Sequence, residues 1–184
     1  RNNPSLNHTL VTVLKVSNQF KNNNSLLYSF YSLYPLTSLL PLTYQISHYY
    51  RGLYFSRFFT PGVLHHRCLQ NIPQNLEELS FHVCAISDGL LATLFPRNQV
   101  SLPHLRVLDL SATFVTAKGL QNLPDSLRKL QLGGCGHIDD SIFSGHLPSS
   151  LEELDLTHCH LNGATLTTMP TSLTSLSLDY NPLR

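Results

Sequence analysis

One phrase recurs five times in the second half of this chain, and its spacing limits the possible folds more than any other feature. Leu76-Glu-Glu-Leu79-Ser-Phe81-His-Val-Cys84 is followed by Leu105-Arg-Val-Leu108-Asp-Leu110-Ser-Ala-Thr113, then by Leu127-Arg-Lys-Leu130-Gln-Leu132-Gly-Gly-Cys135, Leu151-Glu-Glu-Leu154-Asp-Leu156-Thr-His-Cys159 and Leu173-Thr-Ser-Leu176-Ser-Leu178-Asp-Tyr-Asn181. The leading leucines are 29, 22, 24 and 22 residues apart. Self-similarity at this period marks stacked supersecondary units, none of which can bury its apolar face alone. Within each phrase the apolar residues alternate, the period-2 signature of a strand with one buried side. The spacing therefore predicts inward-facing pairs Leu79/Phe81, Leu108/Leu110, Leu130/Leu132, Leu154/Leu156 and Leu176/Leu178 in a parallel sheet.

Between strands the chain must return to its starting level. Ser87–Leu94 and Thr116–Leu120 read as brief helices, with Ser87 and Thr116 as N-caps whose hydroxyls can accept early helical N–H groups. Asp139–Phe143 and Gly163–Leu166 fill the equivalent places. Each return then meets a proline turn at Leu102-Pro103, Leu123-Pro124, Leu147-Pro148 or Met169-Pro170, and Ile72-Pro73 opens the first unit in the same way. Proline ends a helix and, with φ preset, leads the chain into extended geometry. Wider returns outside narrow strands bend the stack. The expected fold class is α/β: a solenoid shaped as an arc or horseshoe, with the parallel sheet on its concave face and short helices or irregular turns on its convex face.

The residues between the leucines become the open surface. They are Glu78, Ser80 and His82; Val107, Asp109 and Ser111; Lys129, Gln131 and Gly133; Glu153, Asp155 and Thr157; and Ser175, Ser177 and Asp179. Five acids, Glu78, Asp109, Glu153, Asp155 and Asp179, face the single Lys129. Such a strip favours a partner with a basic patch and salt-sensitive association.

Over residues 72–184 these phrases resemble leucine-rich repeats. The subtype is similar to the cysteine-containing and ribonuclease-inhibitor-like kinds: Cys135-Gly-His-Ile138-Asp139-Asp140 resembles the C-x-x-I-(T/S)-D stretch of the former, and Thr113–Leu120 a variant with Thr in the Cys place. The L-P-x-S-L lead-ins at Leu123–Leu127 and Leu147–Leu151, with Met169–Leu173 alongside, resemble bacterial effector repeats. The resemblance implies non-catalytic protein–protein recognition through the concave face. A second implied role is the substrate-reading part of an F-box type ubiquitin ligase adaptor, although nothing in residues 1–71 looks like an F-box.

Cys84, Thr113, Cys135, Cys159 and Asn181 share the ninth place of the phrase. A place that accepts Cys, Thr or Asn needs a small, hydrogen-bonding side chain facing inward, so the cysteines read as structural. Cys68 lies outside the phrases. This usage fits a reducing compartment, and a cytoplasmic location is expected. Zinc needs about four converging ligands. His158-Cys159-His160 cannot supply them if Cys159 points inward, so no metal and no cofactor are expected. His137, Asp139, Asp140 and Ser141 hold triad-type residues, but at a helix start acids simply favour the dipole. Gly133-Gly134-Cys135-Gly136 lacks the Lys-Ser/Thr of a phosphate loop.

The charge is divided. Residues 1–76 hold six bases and no acid, whereas residues 77–184 hold all eleven acids against six bases, a net charge of −5. The repeat half is therefore poorly suited to nucleic acid, which needs clustered Lys and Arg, and the six front charges are too dilute for a binding stripe. Residues 1–71 form an acid-free segment rich in Tyr, Ser and Asn, read either as partly ordered and packed against the first repeat or as disordered or mistranslated sequence. Leu26–Ile46 is about long enough to span a bilayer, but Pro35 and Pro41 argue against a continuous helix. Asn7-His-Thr9 and Asn23-Asn-Ser25 fit the glycosylation triplet only if the chain is secreted. The Arg at the start and the stop just after the fifth strand read as a fragment or as a gene model with unreliable ends.

Overall fold

The computed structural model describes residues 25–29, 52–56, 69, 72–97, 99–144, 147–163 and 169–184. Seven strands form one parallel sheet: β1 (Ser25–Ser29), β2 (Gly52–Ser56), β3 (Glu78–Ser80), β4 (Val107–Asp109), β5 (Lys129–Gln131), β6 (Glu153–Asp155) and β7 (Ser175–Ser177). Each strand pairs with its sequence neighbours, so the spatial order equals the chain order. The register sets Leu26, Leu53, Leu79, Leu108, Leu130, Leu154 and Leu176 opposite one another in a single row.

The sheet begins before the first legible phrase. Leu53-Tyr54-Phe55 has the same alternation as Leu79-Ser80-Phe81, and the Phe55 and Phe81 rings stack with centroids 5.1 Å apart. The first four residues of the candidate membrane span lie in β1; the rest of Leu26–Ile46 lies outside the described residues, as do Cys68 and the two glycosylation triplets. Among the described residues no helix is long and apolar enough to cross a membrane.

Returns scale with the length of the unit. The 29-residue unit accommodates an α-helix, α1 (Asp88–Leu94). The units of 22 and 24 residues have room only for single 3-10 turns, η1 (Ala117–Leu120) and η2 (Asp140–Phe143). Thr116 caps η1 as expected, accepting from Lys118 N at 3.2 Å. Ser87 occupies the N-cap position of α1, but its hydroxyl accepts nothing there. The return expected at Gly163–Leu166 lies outside the described residues beyond Gly163. In three turns the proline supplies its carbonyl: Leu127 N, Leu151 N and Leu173 N donate to Pro124, Pro148 and Pro170 at 3.1–3.2 Å.

The core is the sum of the leucine rows. Leu76, Leu105, Leu127 and Leu151 are buried, as are Leu79/Phe81, Leu108/Leu110, Leu130/Leu132 and Leu154/Leu156. Leu173, Leu176 and Leu178 are only half-buried, packed against the preceding repeat on one side.

Candidate protein-binding face

The side chains that alternate with the buried leucines lie on the opposite side of the sheet, and they form one polar strip from β2 to β7. Its backbone is held by a ladder that outruns the strands. Phe81, Leu110, Leu132 and Leu156 donate their N–H groups to the next repeat, and so do Val83, Ala112, Gly134 and His158, all at 2.7–2.9 Å. The second set is possible because the eighth residue of every phrase is in the left-handed region: Val83, Ala112, Gly134, His158 and Tyr180 have φ between 54° and 75°. That reversal keeps the N–H aimed across the sheet while the chain turns the ninth residue into the core.

The ninth place is a hydrogen-bonding slot between repeats. Cys135 Sγ donates to Leu110 O at 3.1 Å, Cys159 Sγ to Leu132 O at 3.4 Å and Asn181 Nδ2 to Leu156 O at 2.7 Å. Each acceptor belongs to the preceding repeat. Thr113 donates instead to its own Leu110 O at 2.6 Å, and Cys84 Sγ to its own His82 O at 3.6 Å. Cys84, Cys135 and Cys159 are free thiols. Burial raises the Cys135 thiol above its ordinary range and pushes Cys159 up to about 12. Both are therefore neutral donors at physiological pH, as the slot requires.

Asp109 and Asp155 occupy the same place in their phrases and do the same structural work. Their Oδ1 atoms accept from Ser111 N and Thr157 N at 2.9 Å, closing a small turn at the strand exit. Asp109 also accepts from Ser80 Oγ at 2.9 Å, and His82 Nδ1 lies 4.0 Å from it. Ser80 is buried, so it is a support for Asp109 and not a presented surface group. Glu78 accepts from the Tyr54 hydroxyl. Tyr54 is on the strip although no repeat phrase marks it; the clue is the Leu53-Tyr54-Phe55 alternation.

Toward the C-terminal end Lys129 Nζ lies 2.7 Å from Glu153 Oε2, a half-exposed pair that neutralises the strip's one lysine. Lys129, Gln131, Glu153, Asp155, Ser175 and Ser177 line a recess of about 230 Å³ over β5–β7. Asp179 is exposed at the strip's edge, where the His158 ring stacks on Tyr180 with centroids 4.4 Å apart. Most of the predicted surface residues are thus brought together.

The triad-type residues are arranged for folding. Asp139 accepts from both the N–H and the hydroxyl of Ser141, and these bonds hold its carboxyl below the usual range. The His137 ring lies against Phe114, 6.3 Å between centroids. Asp140 is buried and turned toward the next repeat, where Asn162 N and Gly163 N donate to it at 2.9 and 3.0 Å. Asp88 does the same for an earlier pair of repeats, receiving Thr116 N at 2.8 Å and Thr116 Oγ1 at 2.7 Å. Among the described residues no group of three or more His, Cys, Asp or Glu side chains is placed to hold a metal ion.

No curated protein matches the chain. Residues 148–164, which run from the Pro148 turn through β6 to the Asn162-Gly163 bend, match the family described as Leucine Rich repeat. That match supports a leucine-rich repeat within a parallel α/β repeat fold, an architecture that generally serves protein–protein interaction.

Proposed function

We propose that the repeats curve into an arc of the ribonuclease-inhibitor-like kind, and that the polar strip on its concave side grips another protein through that partner's basic patch, without catalysis. The observation that carries this reading is the recess over β5–β7, lined by Gln131, Asp155 and Ser177 among others, within a strip whose one lysine is already paired. Lysine or arginine side chains entering there would meet the Asp155 carboxylate, Glu153 shared with Lys129, and the neutral acceptors Gln131, Ser175 and Ser177. Cys84, Cys135 and Cys159 are buried and not joined in disulfides, an arrangement that suits a cytoplasmic setting. The adaptor role in a ubiquitin ligase is a narrower form of the same reading, and co-purification of the chain with ubiquitin ligase subunits would test it.

The test must spare the turns closed by Asp109 and Asp155, so the informative variant is Glu153→Gln with Asp179→Asn. Binding of a lysine- and arginine-rich peptide is read by fluorescence anisotropy across a salt series. Exposed ion pairs contribute about 0.2–1 kcal/mol each, so the double variant should weaken binding roughly two- to thirtyfold. Salt should weaken the wild type, since exposed charges are screened within about 8 Å at physiological ionic strength. Equal affinity of variant and wild type would reject this face.

A further inference from the structure

Asn162-Gly163 is the one Asn-Gly pair in the chain. Glycine offers no side chain to hinder its nitrogen, so this dipeptide is the one most prone to spontaneous deamidation. The Gly163 nitrogen attacks Cγ of Asn162, a C–N bond forms, and ammonia leaves carrying the amide nitrogen with a proton relayed from Gly163. Water then opens the resulting succinimide to aspartate or isoaspartate. No oxidant or enzyme is required.

The pair sits at an exposed bend, with Gly163 at φ 88°, but both of its backbone N–H groups point at a single buried carboxylate. Asp140 Oδ2 accepts Asn162 N at 2.9 Å and Oδ1 accepts Gly163 N at 3.0 Å. Asp140 is only 8% exposed, so the acceptor end of both part-buried bonds is shielded from water. We infer that Asn162-Gly163 is a latent deamidation site and that Asp140 holds it unreactive by occupying the attacking N–H.

Two physical effects act together. The Gly163 nitrogen cannot reach its neighbour's Cγ while it donates to Asp140, because the attack requires that hydrogen bond to break. A carboxylate beside the amide also disfavours the nitrogen anion that performs the attack. The consequence of failure is structural. Isoaspartate inserts an extra backbone carbon between residues 162 and 163 and adds a negative charge beside Asp140, so the brace between η2 and the bend after β6 opens. The bend would then act as a one-way ageing switch in the return that follows β6.

The experiment is peptide mapping for isoaspartate and aspartate at position 162 after incubation of the intact chain at mildly alkaline pH. Three samples are compared: folded wild type, wild type in urea, and Asp140→Asn, whose fold is checked by circular dichroism. One unit of change in the acidity of the attacking group alters the reactive population about tenfold. Folded wild type should therefore convert at least about tenfold more slowly than the urea sample, and folded Asp140→Asn should recover most of that difference. If the variant fails to fold, amide exchange in the wild type decides. The Gly163 amide should then exchange at least about tenfold more slowly than in the unfolded chain, as a bond that must open before exchange requires. Conversion of folded wild type at the unfolded rate, an unchanged rate in folded Asp140→Asn, or an unprotected Gly163 amide would each overturn the inference.

Discussion

The eighth residue of each phrase shows how one backbone requirement constrains five different side chains. Valine, alanine, glycine, histidine and tyrosine all adopt the left-handed region there, and only Gly134 does so without steric cost. The return is one more inter-repeat hydrogen bond and a slot residue delivered to the core. A Cβ on Gly134 would meet Ala112 Cβ at an ordinary 3.7 Å, so space is not the obstacle. Gly134→Ala should nevertheless destabilise by about 1 kcal/mol in a denaturant melt, the left-handed penalty less the entropy removed from the unfolded chain. The slot itself makes a pH prediction. Cys159 has a folded-state value of about 12, above its ordinary 9.0. A raised value means that the unfolded chain gives up its proton first. Its contribution is therefore complete below about pH 9 and lost as pH rises toward 12. Thermal melts should show stability falling across that window, and the loss should shrink in Cys159→Ser, which retains a donor with no titration there.

At the level of strands and turns, the leucine rows carry most of the stability, and position along the sheet should grade it. Leu130→Ala and Leu154→Ala remove fully buried side chains and should cost about 2–5 kcal/mol by denaturant unfolding. Leu176→Ala, at a half-buried site in β7, should cost clearly less. These strands are legible in the sequence because alternation is a local signal, visible within six residues. The braces between repeats are not. Ser126, Ser150 and Ser172 donate to Leu105 O, Leu127 O and Leu151 O at 2.6–2.9 Å, although the L-P-x-S-L lead-in gives no hint of why serine stands there. Asp88 and Asp140 look in the sequence like charges at helix starts, whereas both reach across to the next return. Such contacts join residues 21–28 apart, with no pairwise pattern that one sequence could reveal. Ser150→Ala should cost about 1 kcal/mol, as expected for a lost hydrogen bond that leaves a carbonyl half-satisfied.

For the whole molecule, the least expected feature is that the sheet continues into the acid-free segment. The signal is weak there for a plain reason. Tyr50 stands where the lead leucine would be and Phe58 where the slot residue would be, so only Leu53-Tyr54-Phe55 keeps the rhythm. The charge division is real in the sequence, yet it does not coincide with a break in strand pairing. Phe55→Ala should therefore destabilise the later repeats by about 3–5 kcal/mol, since its ring stacks on Phe81 and repeats depend on their neighbours. A melt that left the repeat half unchanged would detach β2 from it. The candidate face is legible as a set of alternating residues, because alternation fixes which side each occupies. That Ser80 is buried and that two of its five acids are committed to turns emerges only from three-dimensional contacts. Underlying everything is the claim that consecutive repeats lie side by side, each bonded to the next beyond its three-residue strand. Native-state hydrogen exchange by NMR tests this directly. The amides of Phe81, Val83, Leu110, Ala112, Leu132, Gly134, Leu156 and His158 should form one slowly exchanging set, since every one of them donates to the following repeat. Exchange of Val83, Ala112, Gly134 and His158 at the rate of open loops would contradict it.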